Sequence, residues 1–161
     1  MGRLAASLSQ RVKPLKLADF LPYRLSVLAN RVSSQLASAY SARFDISIGE
    51  WRVIAVLGEC AGVSADFVCA KTEMDKVTVS RAVAKLLKKR YVTRRFTRHD
   101  RRQSQLSLAA AGRALYADIV PLARRYEAAL IVNLSTAARR ELDDALAQLQ
   151  EQVAALRQRG F

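Results

Sequence analysis

The sequence predicts a mainly α-helical fold carrying one small β-hairpin, and three observations predict it. Apolar residues recur every three or four positions through most of the 161 residues, the spacing of helix faces turned toward a core. That spacing gives way to alternation at Tyr91 to Thr97 (YVTRRFT) and at Gln105 to Leu108 (QLSL), which read as two strands joined through a tip from Arg98 to Ser104. Positive charge gathers around this hairpin. Lys76 to Arg102 hold 11 Lys/Arg residues against Asp100 alone, whereas the rest of the chain has 16 bases and 13 acids.

At this length a single domain with a modest core is expected, and 51% hydrophobic content excludes disorder. A net charge of +13 and a pI near 10.6 suit a nucleic acid or an anionic membrane surface. Concentration of the charge on one surface favours a polyanion with regularly spaced phosphates. No apolar run approaches the ~20 residues needed to cross a bilayer. The first residues, Met1 to Pro14, lack the apolar stretch of a secretion signal, so the cytoplasm is the default. Cys60 and Cys69 stand in apolar helical surroundings, there is no Cys-x-x-Cys, and His99 is the sole histidine. No metal site and no cofactor are therefore expected, and the thiols read as buried and inert. A phosphate loop, a nucleophile beside a histidine and clustered acids are all missing from the sequence, which argues against an enzyme.

Taken in order, residues 1–20 read as a flexible basic arm interrupted by Pro14. A first helix from about Leu21 to Arg43 carries Leu25, Leu28, Val32 and Leu36 as one apolar stripe. Ser47-Ile48-Gly49-Glu50 has the spacing of a capping box opening a second helix with Trp51, Ile54, Val56 and Leu57, ending around Gly58 to Gly62. Ser64 can cap a short third helix. Thr72 to Asp75 then starts a fourth, with Asp75 at its positive end, running to about Arg90. On this fourth helix Val79, Ala82, Val83, Leu86 and Leu87 form a core face, and Val77, Thr78, Arg81, Lys85 and Lys88 point away from it. Two short helices, a tight turn and a hairpin make a winged helix-turn-helix over 47–111. After Gly112 a helix carries Leu115, Ile119, Leu122, Tyr126 and Leu130, with Pro121 expected to kink or break it. A last helix from about Ser135 places Leu142, Leu146, Leu149, Val153 and Leu156 on a heptad seam. A seam of that regularity on a terminal helix needs another apolar surface, so 21–46 and 112–161 are expected to form the dimerisation region of a homodimer.

These residues resemble the MarR family of bacterial transcriptional regulators over roughly Leu21 to Val153. The resemblance is strongest in MDKVTVSRAVAKLLKKRYVTRRFTRHDRRQSQLSLAAAG, Met74 to Gly112, including Asp100-Arg101-Arg102 as the Asp-x-Arg signature of the wing. It implies a dimeric, triangular, mostly helical protein that binds a pseudo-palindromic operator in double-stranded DNA and responds to a small effector. Three departures stand out. Tyr91 occupies the place of a glycine that ends the recognition helix, Ala109 replaces a threonine cap and leaves Ser107 as a substitute, and Val77 stands where relatives carry a small or polar residue.

In this frame Thr78 and Arg81 are expected to read base edges, Arg81 with a fork for guanine, and Val77 to touch a thymine methyl. Lys76, Ser80 and Lys85 flank them and suit phosphates. The competing role for Arg81 is a salt bridge to Asp100. In the wing, Arg101 and Arg102 can enter a narrow minor groove. Arg98 and His99 then serve as tip or phosphate contacts, and Asp100, by resemblance, orients Arg102. Lys88, Lys89, Arg90, Arg94 and Arg95 form a basic face of which two or three members touch the backbone. The resemblance further implies an effector crevice where the dimerisation helices meet the DNA-binding lobe. Tyr23, Arg24, Val27, Arg31, Trp51 and Arg52 are its candidate lining, suited to an aromatic acid or its coenzyme A thioester. The competing function is that of a sequence-neutral architectural nucleic-acid-binding protein, since charge alone does not certify base reading.

Overall fold

The computed structural model describes residues 13–96 and 104–160. Six α-helices and one hairpin follow in order: α1 Leu21–Phe44, α2 Ile48–Glu59, α3 Ala65–Thr72, α4 Lys76–Lys88, β1 Val92–Phe96, β2 Ser104–Leu108, α5 Ala110–Leu130 and α6 Thr136–Gln158. Of the expected loose arm, residues 1–12 lie outside the described residues. Leu17–Asp19 are not loose but form a 3-10 turn that leads into α1, whose first turn is set by Pro22.

Side-chain caps fix three helix starts where the sequence placed them. The Ser47 hydroxyl accepts the Glu50 N–H at 3.2 Å while the Glu50 carboxylate accepts the Ser47 N–H at 2.8 Å, closing the capping box of α2. Ser64 and Ser135 each accept an N–H three residues on, from Phe67 and Ala138, at the starts of α3 and α6. The start of α5 differs from expectation. It begins at Ala110, so Gly112 lies inside it, and Ala109 offers no side-chain cap. Ser107 does not substitute, because its hydroxyl accepts the Gly62 N–H at 3.0 Å instead. Pro121 does not break α5, which runs through it to Leu130.

The core is one cluster in which Val53, Ile54 and Leu57 of α2, Val68 of α3, Val79, Val83 and Leu86 of α4, Leu106 of β2 and Leu115 and Ile119 of α5 meet Tyr40 of α1. Val92 pairs with Leu108 and Phe96 with Ser104 in antiparallel register, so Ser104 belongs to the strand and not to the tip. Val63, ahead of α3, adds a single bridge to Leu106, giving and accepting backbone hydrogen bonds of 3.2 and 2.8 Å. The wing is thereby tied to the helix-turn-helix. Cys60 and Cys69 are half-exposed and not buried, Cys60 because it already stands past the end of α2. Among the described residues, no helix is long and apolar enough to cross a membrane.

Candidate nucleic-acid interface

The exposed face of α4 is built from its cap outward. Asp75 stands before the helix in extended conformation, and its carboxylate accepts the Thr78 N–H at 2.8 Å and the Thr78 hydroxyl at 2.6 Å. The hydroxyl and N–H of Thr78 hold this carboxyl below the usual carboxylate range. With the axis fixed, Val79, Ala82, Val83 and Leu86 sink into the core. Lys76, Val77, Thr78, Ser80, Arg81, Lys85 and Lys88 stay exposed, Val77 to 57%. Lys76 pairs with Asp66 of α3 at 3.0 Å, both side chains more than three-quarters exposed, a contact weak enough in water to be exchanged for a phosphate. Among the described residues Arg81, Lys85 and Lys88 take part in no ion pair. The proposed partner of Arg81, Asp100, lies outside the described residues, as do the other wing-tip candidates Arg98, His99, Arg101 and Arg102.

The far end of α4 departs from the sequence reading twice. The helix closes with the Tyr91 N–H on the Leu86 carbonyl at 2.9 Å and the Arg90 N–H on Leu87 at 3.0 Å, which turns Arg90 to φ +60°. The left-handed position is Arg90 and not Tyr91. Lys89, expected on the solvated basic face, instead turns inward: its ammonium lies 3.1 Å from Glu50 and 3.4 Å from Asp45, and it also donates to the Asp45 carbonyl. Glu50 is 2% exposed. Burial pushes its carboxyl up, but the donors from Ser47 and Lys89 outweigh burial and hold it below its ordinary range. Lys89 thus fastens the end of α4 to the start of α2 and is withdrawn from the surface that Lys85 and Lys88 offer.

The six effector candidates are not all gathered. Tyr23, Arg24, Val27 and Arg31 line a shallow groove of about 370 Å³ with Ala18, Leu21, Leu25 and Leu28 along α1. Trp51 lies elsewhere, its ring between Tyr40 and Tyr116 at centroid distances of 5.7 and 6.2 Å. Arg52 donates to the Ser33 hydroxyl at 3.3 Å. One contact at the other end of the molecule escaped the sequence: Arg157 of α6 pairs at 2.9 Å with Glu73, in the turn between α3 and α4. The two residues are far apart in the chain, and nothing local announces such a pair.

A family model described as MarR family matches residues 44–103, the span from the end of α1 to the wing. A MarR/EmrR family transcriptional regulator from Acinetobacter sp. ADP1 shares the fold at a TM-score of 0.81 and 27% identity, over 88% of this chain and 99% of its own. Over that span the chain is similar to the MarR family. The matched span holds the winged helix-turn-helix, and the fold is the one that MarR-family transcriptional regulators share. The MarR fold is shared as well by a putative MarR family regulator from Listeria monocytogenes solved with a 26mer DNA, at a TM-score of 0.78 and 19% identity over 85% of this chain and 91% of the other. Bordetella bronchiseptica BpsR, whose DNA binding is regulated by 6-hydroxynicotinic acid, matches at 0.75 and 20% over 86% and 98%. No curated protein sequence matches this chain significantly.

Proposed function

We propose that this protein is a MarR-type transcriptional regulator that binds a pseudo-palindromic operator as a homodimer, acts as a repressor, and is released by a small aromatic acid or acyl-coenzyme A effector. One observation carries the DNA-binding part: the exposed face of α4 pairs a cationic flank with a short row of Val77, Thr78 and Arg81 that nothing in the described chain covers. A helix about 11 Å across fits a major groove about 12 Å wide. Thr78 and Arg81 meet base edges, Val77 meets a thymine methyl, and Lys76, Ser80, Lys85 and Lys88 hold phosphates. The wing, with Arg98, His99 and Asp100 to Arg102 at its tip, lies along the adjacent minor groove. Residues 47–111 form the DNA lobe, and 21–46 with 112–161 form the dimer.

The Bordetella protein's response to 6-hydroxynicotinic acid supports an aromatic acid as effector, and the α1 groove with Tyr23, Arg24 and Arg31 has the aromatic and cationic lining such an acid needs. Effector binding shifts the dimer toward a spacing of the two α4 helices that no longer matches successive grooves, about 34–36 Å apart.

The test is selection of bound duplexes from a random pool, with and without aromatic acids and their coenzyme A thioesters. A palindromic site that outcompetes random duplex by about 1,000-fold or more is expected, with affinity falling steeply in salt. Arg81→Ala weakens that site by about 1–3 kcal/mol and relaxes one position in each half. Equal competition by random duplex would instead establish a sequence-neutral architectural protein.

A further inference from the structure

The first turn of α4 fixes what Thr78 can offer a base. A threonine hydroxyl free in solvent is indifferent, donating to an acceptor or accepting from a donor as the partner requires. Here its proton is committed. The Thr78 hydroxyl donates to Asp75 Oδ2 at 2.6 Å while the Thr78 N–H occupies Oδ1 at 2.8 Å, and an ionised carboxylate has no hydrogen to give in return. The Thr78 methyl is turned toward α2, where a Cβ on Gly49 would stand 3.9 Å from it. What remains on the exposed oxygen is lone pairs, next to a negative carboxylate that repels further acceptors.

Resting on the reading of α4 as the base-reading helix, we propose that Asp75 is a positioning residue that makes Thr78 an acceptor-only reader. Thr78 then selects a base whose major-groove edge presents an amino hydrogen, adenine N6 or cytosine N4, and rejects thymine O4 or guanine O6 at the same place. The cap that starts the helix therefore also sets the polarity of one letter of the operator.

The experiment uses the full-length protein and the operator obtained by selection. Thr78→Val keeps the branched shape and removes the hydroxyl, so the operator position at which it loses discrimination, by about 2- to 10-fold, is the position Thr78 reads. At that position, replacing adenine by purine or cytosine by its 4-deamino analogue deletes the amino group alone. Wild type loses the same factor on this change and Thr78→Val loses nothing. Asp75→Asn keeps a good helix cap, but its amide donates to the Thr78 oxygen and frees the hydroxyl proton for the DNA. This variant should accept the reversed base pair and ignore the amino deletion. The proposal is overturned if Asp75→Asn keeps the wild-type preference, or if wild type is insensitive to loss of the amino group while still choosing its site. A wild type with no sequence preference at all would overturn the proposal together with the reading of α4 beneath it, and is told apart by the selection itself. Should Asp75→Asn fail to fold, the amino deletion on wild type and Thr78→Val decides alone.

Discussion

Arg90 shows how a single residue carries a cost that the fold tolerates. Its φ of +60° closes α4, and a side chain in that region crowds its own backbone by about 1–2 kcal/mol relative to glycine. Arg90→Gly should therefore raise stability by about 1 kcal/mol, read as a higher midpoint in thermal or urea unfolding at fixed protein concentration. An unchanged or lower midpoint would mean that the arginine side chain makes compensating contacts. The resemblance puts the glycine position of the helix end at Tyr91, one residue after the left-handed Arg90, because a helix end is fixed by which carbonyl the last N–H groups reach, and a sequence alone does not show that. Lys89 was misread for a related reason. A lysine in a run of three bases looks solvated until Glu50, on another helix, is seen 3.1 Å away. Val77, Thr78, Arg81 and Lys85 were legible because solvent exposure on a helix follows from rotation about its axis, and the rotation is set by the apolar face.

At the scale of elements, the packing of α5 on the hairpin depends on one missing side chain. A Cβ on Gly112 would sit 1.9 Å from the Tyr91 carbonyl oxygen, so the backbone that leaves α4 and the first turn of α5 touch directly. Gly112→Ala should destabilise by at least the roughly 3 kcal/mol at the top of the ordinary overpacking range, because the obstructing atom is backbone and cannot swing aside. Differential scanning calorimetry checks it, and a loss under about 1 kcal/mol would contradict the close approach. The second coupling between elements is the Glu50–Lys89 pair of α2 and α4. Glu50 is depressed below its ordinary value of 4.5 in the folded chain, so the folded state holds its proton more weakly than the unfolded state does. The stabilisation is complete above that ordinary value and is lost as pH falls through the depressed one. Wild type should lose stability on acidification through this window, and Glu50→Gln, already lacking the charge, should be less stable at neutral pH and show a shallower acid limb. Parallel limbs in urea melts from neutral pH to pH 3 would refute the linkage. Helices and hairpin were readable because their periodicities are local. The Val63 bridge, a single residue wide, has none, and a crevice shared by α1 and α2 depends on packing angles that no periodicity encodes, which is why Trp51 and Arg52 did not join Tyr23, Arg24, Val27 and Arg31.

For the whole molecule, the decisive feature is that α6 buries none of its residues in the single chain, although it runs for 23 residues. Leu142, Leu146, Val153 and Leu156 are 42–53% exposed, and Leu149 is half-buried, with Leu21, Leu25 and Leu28 of α1 exposed as well. Beside the Arg157–Glu73 pair, α6 borders a groove of about 650 Å³ with Leu25 and α3. An amphipathic helix is held in water chiefly by covering its apolar face, and the proposed homodimer would supply that cover from the same two helices of a second copy. Leu146→Glu places a charge in the middle of that seam in each subunit. Burying an unpaired carboxylate costs several kcal/mol, and each 1.4 kcal/mol is a factor of ten, so the dimer dissociation constant should rise by about a hundredfold or more. Sedimentation velocity across a concentration series should show the wild type as the proposed dimer and this variant as a monomer. On the proposed reading one α4 then holds only half of the operator, so affinity should drop to that of a half-site, with the salt dependence of binding falling by about half as half the phosphates are engaged. A variant that remains dimeric, or a monomer that binds the full operator with wild-type affinity, would show that α6 is covered by something other than its own copy.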